Sequence, residues 1–166
     1  MKNIYNVIYA VNKNNLFAVD GNLPWKCDQD MEHFRKTTLN GIVIMGRNTF
    51  NSLPFKKGLP KRVNIVITSL HIDDIINFDN LQSAITYIED NYQNYNVFFI
   101  GGVRLIKNVI ESRSDILSFV YKSIIKDHCV HKLADDNCEK LYLEIENNKP
   151  CVIDVKDDFD LYKYEF

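Results

Sequence analysis

Short apolar runs alternate with amphipathic segments along most of the 166-residue chain. Runs rich in β-branched and aromatic residues predict strands, and these runs are residues 4–11, 42–45, 63–68, 97–100, 116–125, 151–155 and 159–166. Apolar positions at helical spacing predict helices at residues 27–39, 81–91 and 103–111. Strands that alternate with helices indicate an α/β fold with a mainly parallel sheet, and the helix-poor last third predicts an antiparallel edge.

One predicted strand, residues 42–45, runs through Gly46 into Arg47, Asn48 and Thr49, which open a short helix. Backbone N–H groups at a helix start, with a guanidinium beside them, form a site suited to phosphate. The same residues also fit an ordinary turn in which Asn48 or Thr49 caps the helix. Taken alone, this segment favours the cap.

Two further strands end in residues that could meet a ligand. Gly101, Gly102 and Arg104 follow one of them, and a glycine pair allows close approach of a ligand to the backbone. Thr68 and Ser69 end the other, where their hydroxyls could bind a ribose phosphate or bond the local backbone. Because α/β sheets bind ligands beyond the carboxyl ends of their strands, the three segments together favour a nucleotide cofactor.

Three acids, Asp28, Asp30 and Glu32, follow the single tryptophan, Trp25. At about 100° per residue, the face predicted to turn toward the protein spans about 60° and consists of Cys27, Met31, Phe34 and Thr38. Asp30 lies at the edge of this face, whereas Asp28 and Glu32 point away and favour the helix start through its dipole. A partly desolvated carboxylate has a raised pKa, and Asp30 could do chemistry or form only a local cap or ion pair.

The order and spacing of these residues resemble dihydrofolate reductase. The matching positions are Leu23-Pro24-Trp25, Asp30, Phe34, Thr38, residues 43–49, Ser52-Leu53, Leu59-Pro60, Arg62, Asn64 and Ile100-Gly101-Gly102. The aromatic-alternating end of the chain, residues 159–166, is similar to the last strand of that family. The resemblance implies one domain over residues 1–166, with an eight-stranded mixed sheet, flanking helices and an antiparallel C-terminal edge.

The same resemblance implies reduction of 7,8-dihydrofolate to tetrahydrofolate, which supports one-carbon metabolism and thymidylate synthesis. NADPH would give a hydride to C6 of the pterin, and N5 would be protonated. The implied catalytic residues are Asp30 and Trp25. A carboxylate at Asp30 accepts two hydrogen bonds at once and so matches the paired donors of the pterin edge, while Trp25 would shield that acid and hold a water.

The resemblance also implies the binding residues. The expected folate-pocket residues, besides Asp30, are Ile8, Met31, Phe34, Leu53, Leu59, Ile100 and Tyr121, with Arg62 for the glutamate α-carboxylate. Arg47, Arg104 and Ser69 are expected at the 2′-phosphate of NADPH, and Asn48 and Thr49 at the pyrophosphate. The remaining expected cofactor contacts are Ala10, Leu16, Phe17, Ala18, Asp20, Gly21, Asn22, Thr68, Gly101, Gly102, Val103, Leu105 and Ile106.

The chain departs from the family pattern at three places. Phe17 and Ala18 replace the usual isoleucine–glycine pair of the loop that closes over nicotinamide, and Ile106 replaces a tyrosine beside the cofactor. The strand predicted near residues 117–124 lacks the threonine expected to support the pterin-binding acid, which leaves Tyr121 or Val120 in its place, depending on register.

Composition and charge limit the classes of binding partner that the protein is expected to have. Twenty basic against 22 acidic residues give a formal net charge of −2, and without a dense basic stretch no nucleic-acid or polybasic membrane partner is expected. No apolar run is long enough to span a membrane and the N-terminus does not resemble a signal peptide, so a cytoplasmic location is expected. The chain has the size of one domain, and a monomer is expected. The cysteines, expected to be reduced, and the histidines lack metal-ligand spacing, so no metal site is predicted.

Two alternatives stay open. A related reductase with a ribityl-pyrimidine or other pterin-like substrate would share the sheet and the NADPH site, but would not need Asp30, Phe34 and Arg62 together. A folate- or nucleotide-binding module with degraded catalysis would account for Ala18, Ile106 and the missing threonine.

Overall fold

Within residues 2–135 and 137–166, which the computed structural model describes, ten strands and four helices are present. The strands are β1 (Ile4–Asn12), β2 (Leu16–Val19), β3 (Ile42–Gly46), β4 (Val63–Ile67), β5 (Ile76–Phe78), β6 (Asn96–Gly101), β7 (Leu117–Ile125), β8 (Cys138–Lys140), β9 (Val152–Val155) and β10 (Phe159–Glu165). The helices are α1 (Asp28–Thr38), α2 (Arg47–Ser52), α3 (Leu81–Asn91) and α4 (Val103–Ser112).

Eight of these strands form one mixed sheet in the order β5-β4-β3-β6-β1-β7-β10-β9. All pairs from β5 to β7 are parallel, and β10 pairs antiparallel with both β7 and β9. The predicted α/β fold with an antiparallel C-terminal edge is therefore confirmed. No helix among the described residues is long and apolar enough to cross a membrane.

The central strands are apolar on both faces because both faces of the sheet are covered. In β3, Ile42 and Ile44 pack in the core that also contains α3 and α4, whereas Val43 and Met45 pack in a second core on the opposite face. This alternation follows from the two-residue period of a strand. The second core is the one that borders α1, through Phe34.

Helix α1 follows Cys27, which is its N-cap residue, and carries acids in its first turn and Arg35 and Lys36 in its last. Such charges complement the helix dipole. The helical spacing of about 100° per residue predicts that the Met31 side chain faces the protein. This prediction is wrong, because Met31 is 51% exposed. An apolar residue on a helix therefore does not by itself show which face is buried.

Strands β2, β5 and β8 are absent from the predicted elements. Each has only three or four residues, too few for a period to be detected. The most consequential is β2, because Leu16–Val19 lies in the loop that was expected to close over a cofactor. It pairs antiparallel with β8, and Val19 is opposite Cys138.

Replacement of a core residue of α3 tests this packing. Ile88 is fully buried in the core shared by α3 and α4, so Ile88→Ala is expected to lower the free energy of unfolding by about 2–5 kcal/mol. The measurement is chemical denaturation followed by circular dichroism. The control is Gln93→Ala at an exposed position just after the same helix, and a loss at Ile88 no larger than at Gln93 would contradict the described core.

Candidate functional site

Asp30 is the buried acid of α1. It is 8% exposed, whereas Asp28 and Glu32 are exposed. Hydrogen bonds from Arg35, at 2.8 Å, lower the pKa of Glu32 to about 2. Burial raises the pKa of Asp30, and a side-chain hydrogen bond from Ser123 acts in the opposite direction. The predicted separation of the three acids is confirmed, and the structure does not pair Asp30 with a cation among the described residues.

Ser123 provides a hydroxyl in place of the threonine that the family pattern leads us to expect in this strand. In β7, Ser123 is opposite Ala10 of β1 and two residues beyond Tyr121, so both side chains point to the same face of the sheet. The Val120 side chain points to the other face of the sheet and is fully buried in the main core, which is the core that also contains α3 and α4. The prediction of Tyr121 or Val120 as the substitute is therefore wrong. A hydroxyl on the correct face was the signal in the sequence that could have identified Ser123.

An apolar pocket wall lies in the second core on the same side of the sheet as α1. The structure brings together Ile8, Phe34, Leu53, Leu59, Ile100 and Tyr121, which are six of the predicted wall residues. Met31, the seventh, is outside this cluster. Most of these side chains are only partly buried, so they present apolar surface that could contact a planar ring.

Trp25 lies just before α1 and is 5% exposed. It packs with Cys27, Ile125 and Phe159, and Ala10 contacts the same cluster. Its backbone forms an antiparallel bridge with Val130, which anchors the segment before α1 to the segment that follows β7. The structure therefore places a large aromatic ring in a fixed position near the helix turn that contains Asp30.

Arg62 is held against the other end of α1. Its Nε donates to Thr38 Oγ1 at 2.8 Å, and its terminal nitrogens donate to the carbonyls of Pro60 at 2.6 Å and Arg35 at 3.1 Å. Burial, followed by the nearby Arg35, lowers the pKa of Arg62. A guanidinium has five N–H groups, so these contacts orient the side chain and leave donors for an anion such as a carboxylate.

The carboxyl ends of β3 and β6 form the second part of the site. A Cβ atom at Gly46 would lie 3.8 Å from Gly102 N, which shows how closely the two strand ends approach. Gly101 has a φ of +142°, a region that favours glycine. A Cβ atom there would lie 3.2 Å from Thr49 Oγ1 and 3.4 Å from the Phe17 ring. Three of the predicted cofactor residues, Phe17, Thr49 and Gly101, therefore meet at one point.

Arg47 opens α2 beside these glycines. Its NH1 nitrogen is buried and has no hydrogen-bond partner among the described residues. Gly46 is the N-cap of α2, and no side chain caps the helix, so the alternative in which Asn48 or Thr49 is a cap is wrong. An unpaired guanidinium nitrogen at the end of a central strand is suited to an anionic group of a ligand.

The other predicted phosphate ligands lie at the same sheet edge with different exposure. Asn48, Ser69 and Arg104 are exposed, and Arg104 is in the first turn of α4. Thr68 Oγ1 accepts a hydrogen bond from the Leu70 backbone at 3.2 Å. Of the two roles that the sequence left open, the hydroxyl of Thr68 therefore has the local one, a hydrogen bond with the backbone.

Several of the remaining expected cofactor residues have little accessible side chain. Leu16 and Ile106 are buried in the cores, and Ile106 is 0% exposed. Because their side chains have almost no free surface, contact of Leu16 and Ile106 with a cofactor stays a prediction. Ala18 is also buried, and Val103 and Leu105 pack partly against the main core.

The loop around β2 is exposed at Asp20, Gly21 and Asn22. Lys132 lies 2.6 Å from Asp20 and lowers the pKa of this carboxyl mainly through a hydrogen bond. The loop is thus tied to the segment before β8.

The comparisons with known proteins agree with this geometry. A family model described as dihydrofolate reductase matches residues 4–148. A dihydrofolate reductase of Schistosoma mansoni is 30% identical over 165 residues, covering 92% of this chain and 84% of that protein. Those of Buchnera aphidicola and Haemophilus influenzae are 37% and 33% identical, over 63% and 64% of this chain. In these two bacterial relatives the matched region also covers 63% and 64% of their own length.

The matched region contains β1 to β8 and all the side chains of the candidate site described above. Because the family model covers well over half of the residues, the chain belongs to the dihydrofolate reductase family.

Proposed function

We propose that this protein reduces 7,8-dihydrofolate to 5,6,7,8-tetrahydrofolate with NADPH. The observation that carries the proposal is a buried carboxylate, Asp30, beside an apolar wall and with a hydroxyl neighbour, Ser123. Family membership supports the same activity. A nonpolar cleft with one acid is suited to a planar heterocycle that presents paired N–H donors.

Asp30 would hold the pterin by accepting two hydrogen bonds from its amino group and ring nitrogen. Desolvation makes such an acid costly when it is unpaired, and it makes the hydrogen bonds to a substrate correspondingly strong. Ser123 donates to the carboxylate and would limit its rotation. Trp25 would exclude bulk solvent from this end of the cleft and retain the water that brings a proton toward N5.

Arg62 would bind the α-carboxylate of the substrate's glutamate. Its guanidinium is fixed by Thr38 and by two backbone carbonyls. Asp30 and Thr38 are separated by eight positions of one helix, or about 12 Å along its axis. A substrate with a donor-rich ring at one end and a carboxylate at the other matches this separation.

The residues at the ends of β3 and β6 fit NADPH. The unpaired NH1 of Arg47 and the close approach at Gly46 and Gly101 support this fit. Arg47, Arg104 and Ser69 would hold the 2′-phosphate, and Asn48 and Thr49 the pyrophosphate. When bound, NADPH supplies the hydride. Phe17, with its ring against Gly101, would pack near the nicotinamide end.

These contacts favour this function over the two alternatives. A reductase of a ribityl-pyrimidine or other pterin-like substrate would not need Asp30, Phe34 and Arg62 together, yet the last turn of α1 positions Arg62 through Thr38 and Arg35. A degraded binding module was suggested partly by the missing threonine, and Ser123 supplies the equivalent hydroxyl. We further propose that the chain acts as one domain and as a cytoplasmic monomer without a nucleic-acid partner, in keeping with its net charge of −2.

Removal of the Asp30 charge tests the assignment of the acid. Asp30→Asn is expected to lower kcat/KM for dihydrofolate by about 10²–10⁴-fold, because an amide cannot accept two hydrogen bonds from the pterin edge. NADPH oxidation with and without dihydrofolate measures the loss, and NADPH binding should be retained. The matched control is the exposed acid Asp28; full turnover in Asp30→Asn, or equal loss in Asp28→Asn, would refute the assignment.

The hydroxyl of Ser123 has a pH-dependent effect. Because its hydrogen bond opposes the rise in the pKa of Asp30, Ser123→Ala is expected to raise that pKa further. Dihydrofolate binding to the ionised acid is present above the pKa and lost as the pH falls through it, so the midpoint should move to higher pH. Quenching of Trp25 fluorescence measures binding. Ser123→Thr keeps a hydroxyl and should return the midpoint toward that of the native protein, and an unchanged midpoint in Ser123→Ala would contradict this role.

The guanidinium of Arg62 is expected to affect binding more than chemistry. Arg62→Lys removes the planar fork, and a lost charge-assisted hydrogen bond of about 1.5–3 kcal/mol predicts a rise in KM of roughly tenfold to a hundredfold with little change in kcat. Dihydropteroate, which has no glutamate, should be used equally well by both proteins. Lys61→Ala, next to it and exposed, is the control. An equal loss with dihydropteroate would show that Arg62 does not bind the glutamate.

A further inference from the structure

Three side chains with metal-binding atoms meet outside the folate and NADPH cleft. Cys27 Sγ, Cys129 Sγ and a carboxylate oxygen of Asp158 all lie within 4.8 Å of one another. Cys27 precedes α1, Cys129 ends a short 3-10 turn after β7, and Asp158 lies in the turn between β9 and β10. We propose that these three residues bind one thiophilic divalent cation, with Zn²⁺ as the expected ion.

The types of ligand favour this class of ion. Two thiolates and one carboxylate are typical of zinc, whereas Mg²⁺ and Ca²⁺ take oxygen ligands alone. Three protein ligands leave the fourth tetrahedral position for water. The cation takes the place of the two thiol protons. Its positive charge offsets part of the negative charge of the two thiolates and the carboxylate.

The distances are close to those that a zinc site needs. Two sulfurs at about 2.3 Å from a tetrahedral zinc ion lie about 3.8 Å apart. The cluster, with separations of at most 4.8 Å, needs side-chain shifts of about 1 Å to reach this geometry. Cys27 is 2% exposed, but the side chain of Asp158 is 32% exposed, so an ion has a path from solvent.

Backbone hydrogen bonds already hold the three ligand-bearing segments together. The amide of Lys26 donates to the carbonyl of Cys129 at 3.1 Å, and the amide of Lys126 donates to the carbonyl of Asp158 at 2.9 Å. The amide of Asp158 also donates to the side chain of Gln29 in α1 at 3.3 Å. Little backbone movement is therefore required, which lowers the cost of assembling the site.

His128 supports the carboxylate. Its Nε2 lies 2.8 Å from Asp158 Oδ1. A histidine or carboxylate behind a metal ligand orients that ligand and increases its affinity for the ion.

A cation at this site would connect the start of α1 to the β9–β10 turn. Trp25 packs in the same cluster as Cys27 and Cys129. As the chain's single tryptophan, it is an internal reporter for the site, and bound Co²⁺ should quench its fluorescence.

The experiment titrates the reduced full-length protein, freed of metal by a chelator and kept in a phosphine reductant, with Co²⁺ and then with Zn²⁺. We expect one equivalent of Co²⁺ to bind, with sulfur-to-cobalt charge-transfer absorption and quenching of Trp25, and Zn²⁺ to displace it and raise Tm. Mg²⁺ should have no effect. No charge-transfer absorption at one equivalent would overturn the proposal.

Variants identify the ligands. Cys129→Ser should abolish the charge-transfer band or weaken binding by more than the roughly 10–100-fold expected for His128→Ala, a change outside the ligand set. Asp158→Asn should also weaken binding, and it tests the site independently if Cys129→Ser fails to fold. The controls are Cys138→Ser and Cys151→Ser, whose residues lie outside the cluster. A band and an affinity that are both unchanged in Cys129→Ser, or a band that disappears in either control, would refute the assignment.

Oxidation supplies a further control. In a Cys138→Ser/Cys151→Ser protein, oxidised glutathione, which is itself reduced to two thiols, should convert Cys27 and Cys129 to a disulfide, detected as a loss of two hydrogens in the intact mass; this should abolish Co²⁺ binding, and the phosphine reductant should restore it. Binding that is unchanged in the oxidised protein would show that the two thiols are not ligands.

Discussion

Desolvation of the Asp30 carboxylate is the constraint on which the rest of the cleft depends. A buried acid destabilises the fold unless polar groups compensate for lost hydration. Here the compensation comes from Ser123 on the neighbouring strand and from the position of Asp30 in the first turn of α1. The register in which β7 pairs with β1 sets Ser123 opposite Ala10, on the same face of the sheet as Tyr121.

The same helix sets the length of the cleft. Asp30 is in its first turn and Thr38, which holds Arg62, is its last residue. A helix is a stiff spacer of about 1.5 Å per residue, so the acid and the guanidinium are kept at a constant separation. The separation of the two charged groups is therefore set by one rigid element.

The order of the parallel strands sets the second half of the cleft. Because β3 lies between β4 and β6, the residues that follow these strands emerge at a common edge. The φ of +142° and the 3.2 Å distance from a Cβ atom to Thr49 Oγ1 show why a side chain would be strained at Gly101. Phe17 comes to this edge from the β2 segment, and its ring occupies space against Gly101 that a smaller residue would leave open.

Amino-acid order alone was sufficient for every strand of the eight-stranded sheet except β5, for its flanking helices and for the single buried acid of α1, while the resemblance to the family implied most of the apolar wall. These features depend on local periodicity, on glycine at strand ends and on residue types that few other roles require. It was insufficient for the exposure of Met31, the burial of Ile106 and the pairing of β2 with β8, since each depends on what covers a segment. Ser123 as the support of Asp30, and the meeting of Cys27 with Cys129 and Asp158, were decided only by tertiary structure, because strand register and turns bring together residues that no spacing in the sequence connects.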